Sequence, residues 1–460
     1  MALLERRIGA RWRQLSDGSA NRRIFGAAVI VGGATAVVAL AWMARELLVA
    51  ASFGTSGALD AFLVAFSVPT FVGNVIAQSF ASAVVPTFIR VREQEGHAAA
   101  QRVFSGLVLL ATGFLLVAAA LLALVIHLLL PLLASGFDPA TLVLAERLSY
   151  LLLPTIVLRG LAAMWSSILN AGERFALAAF SPATVPLASV VALLASGAWG
   201  VYALAFGVIA GFALQLALLG WGLTRQGIGL WPRWHGLSPA IRQVIGQYLP
   251  VMAGAAFLGS TVLVDQAVAA TLEPGSVATL GYGTKVVLLV VGLGAGALGT
   301  AVLPYFSTMV AVGDWGQVRQ ALRTYGRLTL LATIPLACLV FAFSEPIVEL
   351  LFQRGAFTAT DTSLVARVQA LYALQIPFYV LGVLYVRLLS SLGANRVLMW
   401  STAISFPLNA ALDYGLARVL GVAGIALATT LMYVAAFCFL SVMLRRELGL
   451  AARRDAGKPG

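Results

Sequence analysis

The sequence predicts an all-α polytopic membrane protein, with twelve transmembrane helices in two pseudo-symmetric six-helix bundles around a central cavity. Three observations predict it. The first is composition: of 460 residues, 60% are hydrophobic and only 10% charged, with a mean hydropathy of +0.94, whereas a soluble domain runs near a quarter charged. The second is the distribution of positive charge along the chain. The third is an internal repeat.

The first apolar run starts near Ile24 and is too long for the core of a cleavable signal. Before it, residues 1–23 carry Arg6, Arg7, Arg11, Arg13, Arg22 and Arg23, with Leu4, Ile8, Trp12 and Leu15 at helical spacing. That pattern predicts an amphipathic segment on the inner leaflet. Twelve apolar segments follow, near 24–52, 58–89, 103–134, 144–170, 175–198, 201–224, 242–271, 276–308, 318–352, 363–391, 396–418 and 421–444. Several exceed the ~20 residues that a bilayer needs, so they tilt, bend or extend beyond it. Prolines such as Pro69, Pro86, Pro154, Pro186, Pro304 and Pro407 mark the expected bends.

With the N-terminus inside, the ends of these spans, the segments between them and the two termini place 22 of the 30 basic residues inside and only Arg147, Arg354 and Arg418 outside. A missed or extra helix would scramble that asymmetry, so the charge rule supports twelve spans with both termini cytoplasmic. The net charge of +12 is thus accounted for by the membrane, and nucleic acid is not implied.

The repeat pairs LNAGERFALAAFSPATVPLASVV, from Leu169, with SSLGANRVLMWSTAISFPLNAAL, from Ser390. Gly172 matches Gly393 and Pro186 matches Pro407 at one offset, and SAVVPTF around Pro86 resembles TAVLPYF around Pro304. An even number of helices per half keeps the two halves parallel in the membrane. The expected organisation is therefore an N-terminal bundle over 24–224, a cytoplasmic linker over 225–241, a C-terminal bundle over 242–444 and a basic tail over 445–460.

Ionisable residues inside spans cost roughly 3 kcal/mol on insertion unless they face a bundle interior or a wet cavity. Arg45 lies past the middle of the first span, beside Glu46, and Asp60 opens the second, the two acids being candidate gate residues. Lys285 lies in the eighth, and Arg159 and Arg387 lie toward the inner parts of the fourth and tenth, as candidates to guide an anionic substrate in or else to anchor the helices. Arg45 and Lys285 facing one cleft from both bundles would bind a phosphate or pyrophosphate, the arginine through its bidentate fork. The plainer alternative pairs Arg45 with Glu46 or Asp60 and lets Lys285 snorkel. Asn409 and Asp413, four apart, share a helix face. With Asp265 and Thr429 they form an oxygen-ligand set for a small hard cation, or else a hydrogen-bonded polar patch.

Cys338 and Cys438 lie in apolar runs and form neither a metal motif nor a disulfide framework. No nucleotide-binding loop, zinc motif or long outer loop is evident. An enzyme is therefore not expected, and transport would run on a gradient or a potential.

The chain also resembles a family. ARELLVAASFGTSGALDAFLVAFSVP with FASAVVPTF, SSILNAGERFALAAFSP, EPGSVATLGYGTKV with GALGTAVLP, and LLFQRGAFTATDT resemble, in order, the MurJ/MviN lipid II flippases. These belong to the wider superfamily of multidrug, oligosaccharidyl-lipid and polysaccharide exporters. FGTS…DAF and FQRGAFT are the more specific pieces. The resemblance implies a monomeric bacterial inner-membrane flippase moving an undecaprenyl-pyrophosphate-linked saccharide to the outer leaflet. It implies dependence on membrane potential and, in some members, a sodium ion. It matches Arg45 to a cavity arginine, Lys285 to a position usually arginine, Asp60 to an acidic residue at the outer gate, and Asp265, Asn409, Asp413 and Thr429 to the sodium site.

The chain departs from the pattern at Ala39, Gly73 and Asn74, where the resemblance expects arginine, and in twelve expected helices where fourteen are typical. The missing arginines leave open an alternative, a flippase for another lipid-linked oligosaccharide such as an O-antigen or exopolysaccharide unit. A cation-coupled drug exporter is opposed by Arg45 and Lys285.

Overall fold

The structure is a computed structural model, and it describes residues 20–172, 174–231, 233, 234, 236, 241, 242, 252 and 259–456. The amphipathic segment expected before the first span, up to residue 19, lies outside the described residues. So do much of the linker and most of the start of the seventh expected span.

The described elements are helices: α1 Ala20–Phe53, α2 Gly57–Glu95, α3 His97–Leu133, α4 Pro139–Leu152, α5 Pro154–Ala171, α6 Phe175–Phe180, α7 Thr184–Ser196 and α8 Val201–Arg225. After a helical stretch over 259–269 come α9 Ser276–Val312, α10 Trp315–Ala342, α11 Ser344–Phe352, α12 Ala359–Ala373, α13 Ile376–Ser391, α14 Asn395–Leu420 and α15 Val422–Ala456. With lipid outside, only intrahelical bonding satisfies every backbone group of a spanning segment, which is why apolar runs of this length become helices.

Among the described residues, eight helices are long and apolar enough to cross a membrane, or nine if α4 and α5 form one span bent by 42°. That bend falls at Pro154, where the ring removes a backbone donor. Of the other expected spans, α9 offers only a shorter apolar stretch, Ser276–Gly292, among the described residues. Helix α14 is made too polar by Asn395, Arg396, Asn409 and Asp413. Twelve therefore remains the expectation of the charge pattern. The expected basic tail is helical as far as Ala456, continuous with α15.

The chain forms two compact units. The first comprises the described residues of Met1–Val49, Ala65–His127 and Glu146–Ala256; the second comprises Ala50–Val64, Leu128–Ala145 and those of Phe257–Gly460. Segments 50–64 and 128–145 thus pack with the second unit, although the helices they belong to run on into the first.

In the first unit α8 packs along α5 and α7. A Cβ on Gly207 would sit 2.6 Å from Ser189 Cα, and one on Gly211 would sit 2.5 Å from Val185 Cα. Small residues four apart let the two backbones touch. Gly207→Leu is therefore expected to lower stability by about 3 kcal/mol, the upper part of the overpacking range. Gly113→Leu on α3, with open space around it, should leave the melting temperature of the purified protein unchanged. Equal melting temperatures for the two variants would overturn the packing argument.

In the second unit α9 packs on α12 and α13, and α15 on α12, α13 and α14. The sequence repeat reappears in the backbone. Gly200 (φ +57°, ψ −133°) and Gly421 (φ +60°, ψ −141°) make the same turn into α8 and α15. Their separation equals that of Gly172 from Gly393. Only glycine adopts that conformation without strain.

Candidate functional site

Two groups of buried polar residues in the second unit carry carboxylates. The first lies on α14, where Asn409 and Asp413 are fully buried one turn apart. Asn409 Nδ2 donates to Asp265 Oδ1 at 2.7 Å and to Asp413 Oδ2 at 2.7 Å. One amide therefore bridges two carboxylates. Asn409 Oδ1 and Asp413 Oδ1 are buried with no hydrogen-bond partner, and Thr429 spends its proton on Ile425 O at 3.1 Å. A cavity of about 430 Å³ opens beside them, lined in part by Asp265, Thr284, Ser405 and Thr429.

Buried oxygens without donors are costly unless something electropositive meets them. The donor set is carboxylate, amide and hydroxyl oxygen, and no group of three His, Cys, Asp or Glu gathers among the described residues. Oxygen ligands of this kind suit a small hard cation. The four residues expected to hold sodium thus include three joined by hydrogen bonds, with Thr429 on the same cavity wall.

The second group lies at the end of the unit that the charge rule places outside. The buried Asp60 carboxylate accepts from Gly275 N–H and Ala278 N–H, each at 2.7 Å. It therefore satisfies two of the orphan donors at the start of α9 and sets a negative charge against that helix's positive end. Gly275 (φ +92°) faces Thr55 O so closely that a Cβ would clash with it.

The segment FQRGAFTATD closes the same region. Phe352 and Phe357 pack on the Tyr282 ring of α9 with centroids 5.2 and 5.5 Å away. That seats Gly355 (φ +60°) against Ala51 O, where no side chain fits, and Ala356 N–H donates to Ala51 O at 2.8 Å. Asp361 forms a capping box with Thr358 on α12 and also accepts from Thr55 Oγ1. The FGTS, EPGS and FQRGAFT motifs, scattered through the sequence, therefore meet in one clasp. Sequence reasoning singled out Asp60 but missed Thr55, Gly275, Gly355 and Asp361. The signal available was the specificity of those short motifs, each carrying a positive-φ glycine.

The cations are placed as follows. Arg45, in the first unit, is buried; its Nη1 donates to Glu46 Oε1 at 2.6 Å, its guanidinium lies 5.3 Å from the Trp42 ring centroid, and its Nε has no partner. Glu46 thus offsets Arg45, as the plainer alternative has it, and Asp60 is bonded to α9 instead. Lys285 is half-buried in α9 of the second unit. Arg387 is half-buried in a cavity of about 330 Å³ with Phe378, Tyr379 and Phe437, and its Nε is unpartnered. Arg159, in the first unit, lies across Gly73 and donates from Nη2 to Asn74 Oδ1 at 2.5 Å. Gly73 and Asn74 are two of the three positions where the resemblance expects arginine.

A helical membrane protein with arginines inside its spans, a buried acid cluster and a clasp built on a helix N-terminus defines a multi-pass transporter. The sequence profile of the family described as lipid II flippase MurJ matches residues 49–456, and the chain belongs to that family. A probable lipid II flippase MurJ of Rhizobium meliloti (strain 1021) is 31% identical over 413 residues, covering 86% of this chain and 76% of the relative. That of Thermotoga maritima is 28% identical over 407 residues, covering 88% and 82%. Among solved structures, a lipid II flippase MurJ in an inward closed conformation superposes with a TM-score of 0.78 at 22% identity, over 92% of this chain and 90% of that one. An inward-facing multidrug resistance transporter of the MATE family gives 0.76 at 12% identity, over 90% and 95%. At these identities the two structures speak to the fold.

Proposed function

We propose that this protein carries lipid II, or a related undecaprenyl-pyrophosphate-linked peptidoglycan precursor, from the inner to the outer leaflet of the bacterial cytoplasmic membrane by alternating access. It works as a monomer with both termini cytoplasmic, and it moves its substrate without making or breaking a covalent bond. The observation that carries the reading is the presence of Arg45, Arg159 and Arg387 inside apolar helices of a chain matched to flippases along most of its length. Such charges are retained where an anion must be met.

Arg45 and Lys285 bind the pyrophosphate. Glu46 sets the orientation of Arg45 and holds its charge while no substrate is bound. The Asp60 clasp keeps the outer end closed and opens as the substrate leaves. Asp265, Asn409, Asp413 and Thr429 hold a sodium ion, which supplies the positive charge that the buried oxygens lack.

Arg45→Ala combined with Lys285→Ala tests the assignment. Each charge-assisted contact is worth about 1.5–3 kcal/mol, so losing both is expected to cut flipping by about 100-fold or more. The readout is outer-leaflet lipid II, together with growth, in a bacterium depleted of its own flippase. Wild-type rescue by the double variant would refute the pyrophosphate assignment.

A further inference from the structure

The inference concerns Arg159, and it rests on the flippase reading for the identity of the anion. Arg159 stands just beyond the Pro154 bend on α5. Around it α2, α3 and α5 meet through Ile76, Leu115 and Ile156. An ionised guanidinium among apolar helices is expected to find a carboxylate. Arg45 has one in Glu46 at 2.6 Å. Among the described residues Arg159 has none: its contacts are the Asn74 side-chain oxygen at 2.5 Å and the Phe212 ring at 5.7 Å. The charge is therefore held in place by neutral groups and left uncompensated.

Among the described residues, the polar groups left over around Arg159 are donors. Arginine cannot accept a hydrogen bond, so the Asn74 oxygen must face Arg159 and the Asn74 NH₂ group must point away. The remaining guanidinium N–H groups and that amide then offer hydrogens, and no acceptor with charge. Gly73 completes the arrangement, because a Cβ there would lie 3.0 Å from Arg159 Cδ and push the side chain aside. Arg159 is half-buried rather than sealed, so a ligand can reach it.

We propose that Arg159 and Asn74, with the space left by Gly73, form a second anion subsite that takes a phosphoryl group during transport. The guanidinium supplies charge and a planar fork, and Asn74 orients it.

Asn74→Asp is the decisive variant. It conserves volume and places a carboxylate on Arg159, so the subsite is neutralised without disturbing the packing. The expected result is a protein at least as heat-stable as wild type, with flipping reduced tenfold or more. Moving the charge, by Arg159→Asn with Asn74→Arg, is expected to restore transport to within a few-fold of wild type. A purely structural arginine predicts the reverse: Asn74→Asp fully active and the transposed pair inactive.

Binding gives a readout independent of transport. Inorganic pyrophosphate added to detergent-purified protein, and phosphatidylglycerol in nanodiscs, are each compared by thermal shift between wild type and Asn74→Asp. A wild-type-specific shift with pyrophosphate supports a subsite for the carried headgroup, and one with phosphatidylglycerol alone supports a subsite for a membrane lipid phosphate. No shift with either, together with an active Asn74→Asp, overturns the proposal. Failure of wild type itself to rescue a flippase-depleted strain would remove the lipid II reading, leaving these shifts to judge the subsite alone.

Discussion

Asp60→Ala is expected to abolish transport in a chain that still folds into the membrane. The carboxylate accepts two backbone N–H groups at the start of α9, in a place with almost no solvent to replace it. Each buried donor left unmade costs about 1–3 kcal/mol, and the lost negative charge at the helix N-terminus adds up to ~2 kcal/mol. A transporter needs its alternative states within a few kcal/mol of one another. Removing ~3 kcal/mol from one of them shifts its population by about two orders of magnitude.

The helices themselves do not depend on this contact, so expression should persist. Asp60→Asn is expected to lose most of the activity as well, since the amide is neutral and turns its own N–H groups toward α9. The measurement is rescue of a flippase-depleted strain, paired with maleimide labelling of Leu59→Cys in a background where Cys338 and Cys438 are serine. Leu59 is 1% exposed, so labelling should be slow with Asp60 present and at least tenfold faster without it. Normal rescue together with an equally protected cysteine would end the clasp interpretation.

The second large effect is expected from sodium. If the ion meets Asn409 Oδ1 and Asp413 Oδ1, the buried oxygens without partners, its binding stabilises the folded protein through mass action. At a concentration 100 times the dissociation constant this amounts to about 2.7 kcal/mol. The melting temperature in sodium chloride should therefore exceed that in choline chloride at equal ionic strength. Asp413→Ala should erase the difference and, in cells, reduce flipping at least tenfold. Asp265→Ala should do the same, because Asn409 can no longer bridge two carboxylates. A sodium-independent melting temperature in wild type, with an active Asp413→Ala, would leave the cluster as a polar patch only.

How legible these features were in the sequence depends on the range over which each acts. Asn409 and Asp413 were read as one face because a helix places residues four apart in line, and Asp60 was marked because a carboxylate in a span needs an explanation. The backbone turns at Gly200 and Gly421 follow the repeat offset, since a one-residue conformational requirement leaves a one-residue trace. Arg45 was visible as a cation with Glu46 or Asp60 as its alternative partner, but the choice between them was not, because adjacent residues on a helix point apart and only their rotamers decide whether they meet. Arg159 was visible too, yet nothing in the order of residues says that it lies over Gly73, 86 positions earlier.

The sequence by itself determined the class of protein. Hydropathy, the charge asymmetry and the family motifs are sums or local patterns, and lipid permits few structures for such runs. Only the tertiary structure decided which polar groups meet. The amides of Gly275 and Ala278 close on Asp60, and three distant motifs form one clasp. Two buried oxygens beside Asp265 are left without a donor. The physical reason is that a hydrogen bond fails beyond about 3.5 Å, a distance set by helix packing and invisible in residue spacing.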